Sequence, residues 1–110
     1  MLSGKRSYQR IVCEDGFSMS VQASSGNYSD PRADDADKYT AVEVGFPNKS
    51  EELLMPFIEN PDGDPTDSVY GWVPSETIVL VCAKHGGIVS GQLPPGIPFL
   101  EAKSRRENND

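Results

Sequence analysis

The most regular pattern in the chain is the alternation Phe17-Ser18-Met19-Ser20-Val21-Gln22-Ala23, in which large apolar and small polar residues take turns. A period of two belongs to a strand with one buried and one wet face. Before it stands Arg10-Ile11-Val12-Cys13, a second short strand, and between them Glu14-Asp15-Gly16. Asp-Gly between two such runs is a hairpin signal, so residues 9–23 are expected to form a hairpin. Thr40, Val42, Val44 and Phe46 repeat the alternation and are expected on one face of a third strand that Pro47 ends. Val69-Tyr70-Gly71-Trp72-Val73 predicts another, with Tyr70 and Trp72 on the same face, and Ile88-Val89 a last short one.

One segment breaks the period of two. Pro74 suits the first position of a helix, Glu76 its first turn, Lys84 and His85 its last, and Gly86 a left-handed cap. The caps favour a helix over about 74–85, although the β-branched Ile78, Val79 and Val81 leave a strand over 77–83 open. Glu51 to Glu59 reads as an edge strand, because Pro56 argues against a helix interior. Two stretches lack apolar anchors: the long polar loop 24–37, whose single aromatic is Tyr28, and the turn 60–67. Pro94 to Pro98 predicts an extended arm.

These elements predict an α+β fold: a small antiparallel sheet of four to five short strands with one helix in the C-terminal half packed on it. A length of 110 residues is one domain, expected over residues 9–100, with a flexible arm at 1–8 and a disordered charged tail at 101–110. No apolar run exceeds Ile78–Ala83, too short for a bilayer, and the charged start Met1–Ser7 has no apolar segment behind it. A cytoplasmic protein without membrane association is expected.

Charge changes this picture most. The formal net charge is −7, yet from Ile11 to Glu101 only Arg32, Lys38, Lys49 and Lys84 stand against fifteen carboxylates, leaving −11 for that body. Such a body repels phosphate, so direct nucleic-acid binding is not expected, and a partner with a basic surface is. The acids concentrate in two proline-punctuated segments: Asp30, Asp34, Asp35 and Asp37, then Glu51, Glu52, Glu59, Asp62, Asp64 and Asp67. These ten are the candidate partner-binding residues, with solubility as the plainer explanation of the same acids.

No pattern marks a reaction. Cys82 and His85 would share a helix face, but zinc needs three or four ligands and Cys13 is remote in sequence. His85 is expected to serve the helix terminus, and both cysteines to be reduced, buried hydrophobes. Asp62–Asp67 alternates carboxylates as a calcium loop does, but Asp67 stands where Gly is needed and Val73 where Glu is. His85-Gly86-Gly87 lacks the spacing of a phosphate loop. Neither a metal nor any other cofactor is expected. Tyr70 and Trp72 are expected to pack the helix on the sheet, with stacking of a ligand ring as the alternative.

Lys38–Pro47, Leu53–Phe57, Val69–Pro74 and Lys84–Val89, spanning residues 38–95, resemble small accessory proteins of tailed phages and prophages. The resemblance assigns no catalytic residue. It implies stoichiometric binding of a protein of the host bacterium, in its cytoplasm, including inhibition of defence systems in the anti-CRISPR manner or by nucleic-acid mimicry. The expectation is therefore a non-catalytic accessory protein that binds a host protein through its acidic loops. The alternatives are a small-molecule or nucleotide sponge and a minor virion or assembly component.

Overall fold

Phe17, Met19, Val21 and Ala23 are buried and Ser18, Ser20 and Gln22 half-buried on the other face in the computed structural model, which describes residues 7–104. Strands β1 (Ile11–Cys13) and β2 (Ser18–Gln22) form the expected hairpin. Its turn needs Gly16, whose φ of 94° few L side chains adopt. Strands β3 (Ala41–Gly45), β4 (Val69–Pro74) and β5 (Ile88–Ser90) complete one antiparallel sheet in the order β4-β3-β2-β1-β5. Helix α1 (Ser75–Lys84) adds Ile78, Val81 and Cys82 to a core that holds Ile11, Met19, Val42, Val44 and Val73 from the sheet. The fold is α+β, and no helix among the described residues is long and apolar enough to cross a membrane.

The helix ends as its glycines require. His85 is the C-cap, and Gly86 and Gly87 follow at φ of 91° and 92°. The Gly86 N–H donates to Ala83 O at 3.1 Å and the Gly87 N–H to Cys82 O at 2.8 Å, the paired bonds of a Schellman motif. At the other end Pro74 is the N-cap itself, one position before its expected place, and gives no side-chain cap. The strand alternative for 77–83 is excluded.

Four expectations are corrected. Glu51–Glu59 is not an edge strand: Glu52–Phe57 is a 3₁₀ helix whose N-cap is Glu51, and only Ile58 and Glu59 run along β4. So short a helix tolerates Pro56 in its last turn because few backbone bonds depend on it. Phe46 does not continue the buried face of β3; it has φ 51° and is 49% exposed. Tyr70 and Trp72 do not share a face, because two residues of β4 oppose one of β3: Val42 pairs with Val73 but Val44 with Tyr70. This bulge leaves Tyr70 fully buried and Trp72 outside. Residues 94–98 are not an arm but turn back at Pro95–Gly96, where Pro95 O accepts the Tyr39 N–H at 2.9 Å and Ile97 is buried.

Residues on either side of 9–100 also pack against the sheet. Tyr8 is buried, and its backbone exchanges hydrogen bonds with the Gln22 side chain at 2.9 and 2.7 Å. Ala102 is fully buried, and Leu100–Ala102 clasps Ile88 through the Ile88 N–H to Leu100 O and the Ala102 N–H to Ile88 O. The rest of the expected arm and tail, residues 1–6 and 105–110, lies outside the described residues.

Candidate functional site

Three elements bring their termini together at His85. The C-cap of α1 carries the imidazole, the β1–β2 turn carries Asp15, and the N-cap of the 3₁₀ helix carries Glu51. His85 Nδ1 lies 2.7 Å from Asp15 Oδ2, and Nε2 lies 2.6 Å from Glu51 Oε1. A ring with an acceptor oxygen on each nitrogen donates from both, so this imidazole is the charged imidazolium. Burial of the ring opposes that charge. The hydrogen bonds it donates to Asp15 and Glu51 outweigh this and hold the pKa of His85 above its ordinary value. Phe17 stacks on the ring at 4.2 Å with 12° between planes.

Glu51 is only 2% exposed. Its burial would raise its pKa, but Lys84 Nζ at 2.8 Å, the Leu53 N–H at 2.9 Å and His85 together hold it below the usual value. Asp15 is lowered first by the Phe17 N–H and then by His85. With both nitrogens engaged, His85 has no lone pair with which to take a proton from a nucleophile. The cluster chemically pins a helix end, a hairpin turn and a cap.

Cys82 does not work with His85 either. It hydrogen-bonds Cys13 across the core; that bond and burial push its thiol pKa up, while the same bond lowers that of Cys13. Both sulfurs are reduced and buried, as expected. Among the described residues no group of three or more His, Cys, Asp or Glu side chains could hold a metal ion.

The other arrangement of polar and aromatic groups lies on the outer face of the sheet. Glu43 points outward from β3 and accepts the Tyr28 N–H at 2.9 Å and Asn27 Nδ2–H at 3.0 Å, which docks the loop 24–37 on the sheet. The Trp72 N–H, released by the bulge, donates to Tyr28 O at 3.0 Å. The rings of Tyr28 and Trp72 then stack at 4.8 Å and 18°, and the Arg32 guanidinium lies 5.1 Å from the Tyr28 centroid. Further along, the Tyr39 hydroxyl donates to Ala33 O at 2.6 Å and accepts the Ala36 N–H at 3.1 Å. This long loop is hydrogen-bonded along its length.

Trp72 is 47% exposed and has φ 48°, a left-handed conformation that a bulky side chain rarely adopts. Gly71 beside it is closely hemmed in: a Cβ there would stand 2.6 Å from Glu59 Oε2, which would have to swing aside, and 3.3 Å from Tyr28 Cβ and Cδ2. The two acid-rich segments therefore meet at this point, Tyr28 from one and Glu59 from the other.

The ten acids serve different ends. Glu51 is withdrawn from the surface into the His85 cluster, because its partners there satisfy a charge that burial would otherwise penalise. Asp30 accepts from the Thr40 hydroxyl at 3.2 Å, and Asp34 from the Ser25 N–H at 2.9 Å. Asp64 caps the 3₁₀ turn Pro65–Asp67 through Thr66, whose N–H and hydroxyl hold its carboxyl below the usual range. Asp35, Asp37, Glu52, Glu59, Asp62 and Asp67 are exposed.

The ligand-stacking pair of Tyr70 and Trp72 is not assembled. Tyr70 is buried with its hydroxyl donating to Pro65 O at 2.6 Å, and the bulge sends Trp72 the other way. Sequence reasoning missed Tyr28, Arg32 and Glu43; the one available signal was an aromatic alone in a polar loop. An apolar depression of about 460 Å³ lies elsewhere, between Ser75, Glu76, Val79, Leu80 and Pro98. Comparison of the chain with protein-family models, curated proteins and solved structures finds no match.

Proposed function

We propose that the protein is a non-catalytic, phage-type accessory protein that binds another protein stoichiometrically, through the outer face of its sheet, where Trp72 stands between the two acid-rich segments. The carrying observation is the conformation of Trp72. A bulky residue in the left-handed region costs on the order of 1–2 kcal/mol, and such strain persists where its surroundings over-determine it, often at binding sites. Here the strain holds the only tryptophan of the chain half out of the fold. Trp, Tyr and Arg are the residues most enriched among binding hot spots, and here Trp72 stacks on Tyr28, over whose ring the Arg32 guanidinium also lies.

The exposed carboxylates of those two segments, Glu59 among them beside Tyr28, favour a basic partner surface and accelerate encounter with it. A host protein that normally handles nucleic acid presents such a surface. The engagement of both nitrogens of the sole histidine supports the non-catalytic part of the reading.

Immobilised protein incubated with host lysate is expected to retain a stoichiometric partner at low salt. Retention should fall steeply as salt screens the charges, and fall again for Trp72→Ala. Retention of nothing, or retention indifferent to both salt and Trp72, overturns the proposal.

A further inference from the structure

We propose that Trp72, Tyr28 and Glu59 form a receptor for one cationic side chain of the partner, a guanidinium in preference to an ammonium. This deepens the binding reading above and rests on it.

Three observations converge. First, the Trp72 indole stacks on Tyr28 while 47% of the residue stays exposed, so solvent and a partner's side chain reach it. Indole is the ring that attracts cations best, and a guanidinium can lie flat upon it. Second, the chain places a guanidinium of its own, that of Arg32, 5.1 Å from the centroid of Tyr28, so a group of this chemistry already settles on one ring of the pair.

Third, Glu59 brings a carboxylate to the same point. Its Oε2 and the Tyr28 ring both crowd the space that a side chain at Gly71 would fill. Glu59 is exposed, and while its backbone N–H is bonded to Val69 O, its carboxylate makes no hydrogen bond or ion pair among the described residues. Glu43, the other nearby carboxylate, is spoken for by Tyr28 and Asn27. An aromatic face beside an unengaged carboxylate fits a planar cation that stacks and donates at once. A lysine could satisfy the carboxylate but would stack less well.

Because Trp72 is the only tryptophan, its fluorescence reports the site directly. The full chain is titrated with a nine-residue Gly/Ser peptide carrying three arginines, and with the same peptide carrying lysine or the neutral isostere citrulline. The arginine peptide is expected to change the emission saturably, the lysine peptide to bind about threefold more weakly, and the citrulline peptide not to bind. Glu59→Gln should weaken arginine-peptide binding about fivefold, and Arg32→Ala should strengthen it, since a competing like charge is removed. Glu59 is exposed, so this variant keeps the fold, which circular dichroism checks.

Equal binding of arginine and citrulline peptides, or indifference to both substitutions, overturns the receptor. Should partner retention remain salt-sensitive and Trp72-dependent in that case, the binding reading survives without it. Should partner retention also be lost, both fall.

Discussion

His85 Nε2 and Glu51 Oε1 lie 2.6 Å apart although 34 positions separate them in the chain. Glu51 is the more deeply buried of the two, and its second oxygen takes Lys84 Nζ and the Leu53 N–H. One side chain thus ties the C-terminus of α1 to the start of the 3₁₀ helix, and His85 extends the tie to the β1–β2 turn through Asp15.

Glu51→Ala removes this junction and leaves a buried imidazole N–H and a helix-end N–H without acceptors. The expected loss is about 3 kcal/mol in a urea denaturation. Glu51→Gln retains an oxygen for the cap or the ring, so about half that loss is expected. Equal losses for the two variants would mean that charge, not hydrogen bonding, carries the contact.

The same cluster gives stability a pH optimum. His85 is raised above 6.5 in the fold, so its contribution is complete below 6.5 and disappears as pH climbs through the raised value. Glu51 and Asp15 are lowered from 4.5 and 3.8, so their contributions are complete above those values and disappear as pH falls through the lowered ones. The cluster therefore contributes most between about pH 4.5 and 6.5. Melting temperatures are expected to decline from pH 6 to pH 9, and His85→Gln should flatten that decline.

Trp72 offers a test of the strained bulge. Glycine inside a strand is ordinarily less stable than alanine by about 0.5–1 kcal/mol. At position 72, where φ is 48°, the order should invert, with Trp72→Gly more stable than Trp72→Ala by about 1 kcal/mol. Thermal denaturation of the two variants decides it.

Glycines divide in the same manner. Gly91→Ala would set a Cβ 2.4 Å from Arg10 O and 2.7 Å from Ile11 Cα, both backbone atoms of the hairpin that cannot yield singly. A loss of about 3 kcal/mol or more is expected. Gly16→Ala meets nothing within 4 Å and should show only the strain of φ 94°, about 1 kcal/mol. Chemical denaturation of the two single variants makes the comparison.

The thiols predict a chemical result. Cys13 and Cys82 are each 1% exposed, and Cys82 holds its proton firmly through its bond to Cys13 and its burial. A bulky disulfide reagent should find no reactive thiol in the native protein and two after unfolding. Rapid reaction of either in the native state would mean that α1 opens from the sheet readily.

What could be read from the sequence was local. The hairpin at Ile11–Gln22, the Val42–Val44 alternation and the glycine-capped end of the helix each depend on neighbours within a few positions, and each formed as expected. The bulge at Gly71–Trp72 did not announce itself, because Tyr28 helps to hold it from a loop more than forty positions away. Pro56 misled for a related reason: the helix it ends is tied down by Glu51, whose other partners come from α1. Phe46 left the buried face because β3 stops at Gly45, a boundary that alternation cannot mark. Of the candidate site, the acid-rich segments were visible, but not that Glu51 leaves the surface, nor that Tyr28 and Glu59 converge.

The strap of Ile58 and Glu59 along β4, and that of Leu100 to Ala102 along β5, have a consequence for the concentrated protein. Where they lie, the outer amides and carbonyls of the sheet already have partners within the chain, so a neighbouring molecule finds no ladder there to extend. Fibril growth by strand addition is impeded at both borders, and close approach of two copies is opposed by their like charge. Crowding should therefore not drive strand-to-strand assembly at the stretches these straps cover.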